Sequence, residues 1–382
     1  MLTRTRDIGL KLLCLISGLM LLLGHSPTIN AASADYTLGD VNSDGYVNAI
    51  DASDVLICYS QASSGGELNL TESQRRAADI NRDGLIDASD ASSILAYYSF
   101  ISTEDYETFA DYIIDKSTSS AEYNTYYRSS TYLLYDLGDE HLISYHDIHK
   151  RISPASFTKL LTASVVLKYM SLDTVVTVGS EQDLVQPYSS VCYLAKGNRL
   201  TVYDLLTGML LNSGNDAAYT AAVNTARTVS GREMSDNEAV TYFCGLMNDF
   251  AAELNMHESY FVNPDGYDAN GQYTTAADML RLARYSLTVP QIREITGTAK
   301  KTVTISSGQV FNWKSTNYLL DTSSKYYRSD AFGIKTGTTA DAGTCLIAAF
   351  NKNGRTYITL VSGCSSDTTR YDLTISIIDT YT

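Results

Sequence analysis

The chain has 382 residues, 44% of them hydrophobic and 19% charged, which is ordinary for globular protein and enough for two or three packed domains. Its formal net charge of −15 argues against a nucleic-acid partner, whose phosphates it would repel, and leaves cation binding open.

Residues 1–34 read as an export signal. Arg4, Arg6 and Lys11 make a positive start, Leu12 to Gly24 is apolar, and Ala32-Ser33-Ala34 is a small-x-small cleavage pattern. The apolar run is too short for a comfortable span, and no second stretch approaches about 18 apolar residues. The remainder is therefore expected to be exported and soluble. It holds Cys58, Cys192, Cys244, Cys345 and Cys364. An odd, sparse set is no disulfide framework: at least one thiol is free, a single bridge stays open, and no spacing suggests zinc.

Two stretches then repeat, "DVNSDGYVNAID" from Asp40 and "DINRDGLIDASD" from Asp79. Both carry oxygen-bearing side chains at loop positions 1, 3, 5, 9 and 12 and glycine at position 6. Calcium takes six to eight oxygens in a flexible shell, and the glycine permits the sharp turn between ligands. The expected ligands are Asp40, Asn42, Asp44, Asn48 and Asp51 with the carbonyl of Tyr46, then Asp79, Asn81, Asp83, Asp87 and Asp90 with the carbonyl of Leu85. A helical run follows each loop, with Val55/Ile94, Leu56/Leu95 and Tyr59/Tyr98 in corresponding places. A domain of this size has a thin core, so bound metal would supply much of its folding free energy.

Residues 35–102 in this way resemble a type I dockerin: loop position 12 is Asp rather than the Glu of the usual EF-hand, and each loop precedes a helix. The resemblance implies a small all-α module with two calcium ions and a cohesin domain on a scaffold protein as partner. Positions 10 and 11, which help select the cohesin in that family, are Ala49-Ile50 and Ala88-Ser89. They differ between the repeats and name no cohesin class. Residues 103–122 read as a linker, polar at "STSSAE", with a short helix at "YETFADYII".

From residue 123 to 382, short strands and helices alternate. "TYLLYDL" reads as a strand. Ser153 is the expected N-cap and Pro154 the first turn of a buried helix over residues 155–170, with Phe157, Leu160, Leu161, Val165, Val166 and Tyr169 on its apolar stripe. "LTVYDLLTGMLLNSGNDAAYTAAVNTA" reads as further buried helices. "AFGIKTGTT", "GTCLIAAF" and "RTYITLVSG" read as three strands, the last two joined by an "NKNG" hairpin, and "TTRYDLTISIIDTY" as a closing helix. Helices between antiparallel strands from both ends give an α+β layered domain.

Three short motifs lie in this domain in order: Ser156-x-x-Lys159 at a helix start, Ser213-x-Asn215 after a leucine-rich helix, and Lys335-Thr336-Gly337 in a late strand. Acyl transfer from an amide needs an activated hydroxyl, and a lysine dehydrated among other cations can be neutral and take the serine proton. Lys335 suits the second cation, Ser213 a proton relay and Asn215 a clamp on the substrate amide. The N–H groups of Ser156 and Thr338 are the natural oxyanion donors.

With "RISPASFTKLLTA", "LLTGMLLNSGNDAA", "FVNPDGYDANGQYTTAADMLRLARYSL", "STNYLL" and "GIKTGTTADAGTCLIAAF", the domain resembles the penicillin-binding protein and serine β-lactamase superfamily, and more narrowly its low-molecular-mass D-Ala-D-Ala carboxypeptidases. The resemblance implies a transpeptidase-like fold, Ser156 as acyl-enzyme nucleophile, Lys159 as general base, Ser213 and Asn215 as relay and orienting groups, Lys335 and Thr336 near the substrate carboxylate, and Arg370 helping to bind it. It further implies peptidoglycan stem peptides as substrates, β-lactam antibiotics as covalent inhibitors, no catalytic cofactor, and a secreted, scaffold-associated protein. The alternatives on the same fold are a β-lactamase, against which no Glu-x-x-Leu-Asn follows Ser213, and a non-catalytic wall-binding module. "NPDGYD" departs from the family's common Asn-Pro-His-Gly, and the trailing β domain and amphipathic anchor of many relatives are not expected after the closing helix. The histidines fall outside all motifs and read as structural or surface groups.

Overall fold

The computed structural model describes residues 36–101, 108–120 and 129–382. The export signal and parts of the expected linker lie outside them. Among the described residues no helix is long and apolar enough to cross a membrane.

The first module has three helices: α1 (Ala49–Ser63), α2 (Glu72–Ala78) and α3 (Ala88–Phe100). The repeat loops start α1 and α3 directly. Asn48 and Asp87, at loop position 9, are the N-caps, and Asp51 and Asp90, at position 12, close the capping boxes. Both position-12 aspartates are fully buried. Asp51 accepts from the Val41 and Asn48 N–H groups at 2.9 Å, and Asp90 from Ile80 at 2.7 Å and Asp87 at 3.0 Å, so each carboxylate ties its loop to the helix that follows. Val55 and Ile94 are wholly buried, while Leu56 and Leu95 are equally exposed at 43%, so the repeat holds in three dimensions. A short helix, α4 (Phe109–Lys116), comes next. Its Phe109 and Tyr112 pack into the core of this module, and its Ile114 packs into the larger core beyond.

The larger domain is built on a five-stranded antiparallel sheet of order β2-β1-β9-β8-β7, with β1 (Thr131–Asp136) and β2 (His141–His146) from the start of the domain and β7 (Ala331–Thr339), β8 (Gly343–Lys352) and β9 (Arg355–Cys364) from its end. Both faces are covered. Along β1 the side chains alternate: Leu133 and Tyr135 join the core under the helical layer, Tyr132 and Leu134 the core under the closing helix α11 (Asp367–Tyr381). The helical layer comprises α5 (Thr158–Tyr169), α6 (Val202–Leu211), α7 (Asn215–Ser230), α8 (Asp236–Glu253), α9 (Ala276–Thr288) and α10 (Pro290–Thr296). Two small two-stranded antiparallel sheets, β3 (Val175–Thr177) with β4 (Arg199–Thr201) and β5 (Lys300–Thr304) with β6 (Val310–Lys314), interrupt the middle, where only helices were expected. The β8–β9 loop is Asn353-Gly354, both at positive φ (54° and 80°), as a two-residue hairpin turn requires.

The expected cap of the helix at residue 155 is corrected. Ser153 donates instead to Asp268 at 2.7 Å, and no side chain caps the 3₁₀ turn Ala155–Phe157 that precedes α5. Ala155 enters that turn at φ 46°, which aims the chain away from a regular cap. From Thr158 to Val166 every residue of α5 is buried, so the helix runs through the core instead of lying on it, and Tyr169 of the expected stripe is 39% exposed. The five cysteines are all unpaired and buried.

Candidate active site

Sequence motifs far apart in the chain meet where α5, the start of α7 and β7 converge. Lys159 sits in the first turn of α5 and is fully buried. Its Nζ donates to Ser156 Oγ at 3.0 Å and to the Asp265 carbonyl at 2.6 Å. Burial pulls the amine down to about 8, opposed by the negative charges of Asp265 and Asp216. Lys335, on β7, is 1% exposed; its Nζ donates to Ser213 Oγ and to the Thr336 carbonyl, both at 2.9 Å. Burial, then the positive charges of Lys159 and Arg370, push it well below the ordinary lysine range. Two hydroxyl–amine pairs therefore stand together, Ser156 with Lys159 and Ser213 with Lys335.

The surrounding backbone explains why these sequences are needed. Ser213 is buried at φ 57°, between α6 and α7, which turns its side chain toward Lys335. Asn215 opens α7, is 5% exposed, and donates its N–H to the Ser190 carbonyl at 2.8 Å. Gly337 lets β7 run against the Ser156 turn: a Cβ there would lie 3.0 Å from Ala155 Cβ and 3.4 Å from Ser156 N. Thr338, the next residue, is exposed. Thr336 Oγ1 pairs with Thr316 Oγ1 at 2.5 Å. β7 is the edge of the sheet, so its outer side can pair with an extended peptide.

Arg370 is not a surface arginine. It is 5% exposed, and its Nη1 donates to the carbonyls of Gly337 (3.1 Å) and Cys345 (3.2 Å) and to Thr338 Oγ1 (3.3 Å), while Nη2 pairs with Asp367 at 2.9 Å. It fixes β7 from behind. Of the histidines, His149 bridges Glu258 (2.5 Å) and the Ile114 carbonyl (3.0 Å), and burial pulls His141 down to about 4.

The motifs did not reveal the turn at residues 263–267 or Thr316. The turn supplies the carbonyl that holds Lys159 and is closed by Asn263 Oδ1 accepting from the Gly266 N–H at 2.8 Å. Asn-Pro-x-Gly is a turn signal, so "NPDG" marked a tight loop without saying what lay against it.

The repeat loops offer only oxygen ligands, which would suit a hard cation such as calcium. Gly45 and Gly84 take φ 87° and 82°. In the first loop Asp40 accepts from Asp44 N (3.0 Å) and Gly45 N (2.9 Å), and the Asn42 and Asp44 side chains accept from Asp44 N and Tyr46 N at 2.9 Å, so backbone donors fix the side chains. In the second, Asp79 Oδ1 is buried with no hydrogen-bond partner, an orphan acceptor that a cation would satisfy. Among the described residues no three His, Cys, Asp or Glu side chains form a metal cluster by themselves; the loops' donor sets rest also on Asn side chains and carbonyls.

A serine with a buried lysine at 3.0 Å and a second serine–lysine pair thus stand together beside the edge strand β7. Residues 116–366 match the family model for D-alanyl-D-alanine carboxypeptidase, and residues 38–97 match the type I dockerin domain. The chain belongs to the D-alanyl-D-alanine carboxypeptidase family, and its enzyme class is that of the serine-type carboxypeptidases. The D-alanyl-D-alanine carboxypeptidase of Streptomyces sp. (strain K15) is 34% identical over 225 residues, 56% of this chain and 74% of that protein. DacF of Bacillus subtilis (strain 168) is 29% identical over 234 residues, 60% of this chain and 56% of its own length, so the match spans little over half of that relative. Among solved structures, the Streptomyces K15 DD-transpeptidase superposes with a TM-score of 0.60 at 28% identity, covering 66% of this chain and 96% of that one. Penicillin-binding protein D2 from Listeria monocytogenes, in its ampicillin-bound form, gives a TM-score of 0.55 at 26% identity, covering 68% and 99%.

Proposed function

We propose that the protein is an exported serine D-Ala-D-Ala carboxypeptidase that removes the terminal D-Ala of peptidoglycan stem peptides through an acyl-Ser156 intermediate, and that its dockerin attaches it to a cohesin-bearing scaffold. The domains follow the sequence reading: signal at 1–34, dockerin at 35–102, connecting segment at 103–122 and catalytic domain at 123–382. The observation that carries the enzymatic reading is the buried Lys159 amine 3.0 Å from Ser156 Oγ, brought down by burial to where a neutral fraction exists near neutral pH.

In this reading the substrate peptide lies along the outer edge of β7. Neutral Lys159 takes the Ser156 proton as Oγ attacks the penultimate D-Ala carbonyl, and the Ser156 and Thr338 N–H groups hold the oxyanion. The C–N bond then breaks; the leaving D-Ala amine receives a proton relayed through Ser213, which Lys335 orients. Asn215 holds the substrate amide, Lys335 and Thr336 face the terminal carboxylate, and Arg370 keeps their strand in place. Water then hydrolyses the ester and frees Ser156. A β-lactam offers the same carbonyl and would leave the enzyme acylated. In the dockerin, Asp40, Asn42, Asp44, Asn48 and Asp51 and their counterparts Asp79, Asn81, Asp83, Asp87 and Asp90 would hold two calcium ions, which supply charge neutralisation and fold the loops.

The test is D-alanine release from an acyl-D-Ala-D-Ala peptide, with fluorescent penicillin labelling in parallel. Release and label on wild type, both absent in Ser156→Ala, are expected; release and labelling unchanged by Ser156→Ala would sink the reading. The likeness to a DD-transpeptidase favours a second outcome, transfer of the acyl group to an added amine, which the same assay detects as a new peptide product.

A further inference from the structure

Asp265 stands next to the reacting groups and has no part in the acyl transfer above. Its side chain is 1% exposed. Oδ1 accepts from the Tyr267 N–H at 3.2 Å, and Oδ2 is buried with no hydrogen-bond partner. A buried carboxylate oxygen without a donor is costly unless a charge faces it. Lys159, whose Nζ donates to the Asp265 main-chain carbonyl at 2.6 Å, is the charge beside it: Asp265 is the foremost of the negative groups acting on its amine, ahead of Asp216.

The turn that carries Asp265 is pinned beneath the nucleophile. A Cβ on Gly266, at φ 82°, would lie 1.7 Å from the Ala155 carbonyl oxygen, and Thr162 Oγ1 donates to the Pro264 carbonyl at 2.7 Å. The other groups facing this pair are accounted for. Asp216, on α7, spends its oxygens on the Cys192, Leu194 and Ala217 N–H groups, each at 2.9 Å. Lys335 faces Lys159 from β7, with Arg370 of α11 behind it. Burial pushes the Cys192 thiol, the Tyr219 phenol of α7 and the Cys244 thiol of α8 upward, so all three stay neutral where Lys159 titrates.

We propose that Asp265 is a positioning residue for Lys159: its carboxylate, held under the Ser156 turn, sets the charge of the Lys159 amine and with it the pH at which Ser156 is acylated. The inference rests on Lys159 being the base. Burial raises the Asp265 carboxyl, and the Lys159 charge opposes that rise. Once ionised, Asp265 favours the charged lysine; the reactive neutral amine appears only as pH rises further, so the carboxylate places the ascending limb of acylation higher than burial alone would.

The experiment measures the rate of fluorescent penicillin labelling of the full chain across roughly pH 5.5 to 9, for wild type, Asp265→Asn and Asp265→His, with an unfolding midpoint for each. In Asp265→Asn the ascending limb should move to lower pH, raising the ratio of rates at pH 6 and pH 8 by roughly threefold or more. Asp265→His, which likewise removes the anion, should shift the limb the same way. Folded variants whose limbs superpose on the wild-type curve overturn the inference alone. A wild type that labels without any ascending limb overturns the reading of Lys159 as base, and the inference with it.

Discussion

Lys335 Nζ and Ser213 Oγ lie 2.9 Å apart, although 122 residues separate them in the chain. The pair places a second amine beside Lys159, and burial first, then the charge of Lys159, lowers Lys335. Replacing Lys335 with Ala removes the partner of Ser213 and, in the proposed mechanism, the group facing the substrate carboxylate. We expect kcat/KM for an acyl-D-Ala-D-Ala peptide to fall by roughly 100-fold or more, with a smaller loss for a substrate amidated at its C-terminus.

The Lys159 amine, brought down to about 8, gives acylation a direction in pH. With the neutral amine as the proposed base, the second-order rate of penicillin labelling should rise from pH 6 and level off above about 8. Lys159→Arg keeps the charge permanently and should lose labelling at every pH, which stopped-flow fluorescence checks.

Gly266 is the tightest backbone approach in the site. Its φ of 82° and the 1.7 Å from its virtual Cβ to the Ala155 oxygen forbid a side chain. Gly266→Ala should cost about 3 kcal/mol in urea unfolding and lower acylation as well, because the displaced turn carries the Lys159 partner. Gly45→Ala, where φ is positive but nothing lies within 4 Å of the Cβ, should cost only about 1 kcal/mol.

Calcium removal should act on the first module. With chelator, helical signal from residues 36–101 should fall and the lower unfolding transition should move down, while calcium in excess restores both. Asp51→Ala removes the buried acceptor of the Val41 and Asn48 N–H groups and should cost about 2 to 3 kcal/mol even with calcium present. Asp83→Asn, on an exposed loop side chain, should weaken calcium affinity measured by calorimetry with little loss in excess calcium.

Arg370 ties α11 to β7 through the Gly337 and Cys345 carbonyls. Arg370→Ala leaves these buried acceptors and Asp367 without their cation. It should lower the melting temperature and reduce kcat/KM for the peptide about tenfold, whereas Arg370→Lys recovers part of the stability and less of the activity, because an ammonium cannot span the fork.

Much of this was legible in the sequence, for identifiable reasons. Ser156, Lys159, Ser213 and Lys335 stand in short motifs whose order survives any loop length, and the loops from Asp40 and Asp79 repeat residue by residue. Four of the five strands of the sheet followed from apolar runs with clean turns, whereas β2 (His141–His146), half-buried and carrying a histidine at each end, was not read. Other features were not legible, because nothing local encodes them. The 3₁₀ turn at Ala155 depends on the neighbouring Gly266, and the hydroxyl of Ser153 goes to Asp268, 115 residues away. The pairs β3–β4 and β5–β6 are only three and five residues per strand, too short to show a period. Asp265 was visible as an odd residue in a turn, but its partner was visible only in space.

The helix α4 is a rivet. Phe109 and Tyr112 are driven into one core, Ile114 into the other, and Asp111 and Asp115 clamp Arg284 (2.8 Å) and Arg281 (2.5 Å) of α9. Beside it, Tyr36 bonds Asp139 at 3.1 Å, and Arg82, from the second repeat loop, bonds Tyr36 at 2.6 Å. A bead on a slack string could turn its mouth in any direction. Here the repeat loops and the domain that carries Ser156 are tied together by these contacts, so whatever would grip the loops would also set the bearing of the site. On a crowded scaffold such an enzyme would be aimed rather than merely moored.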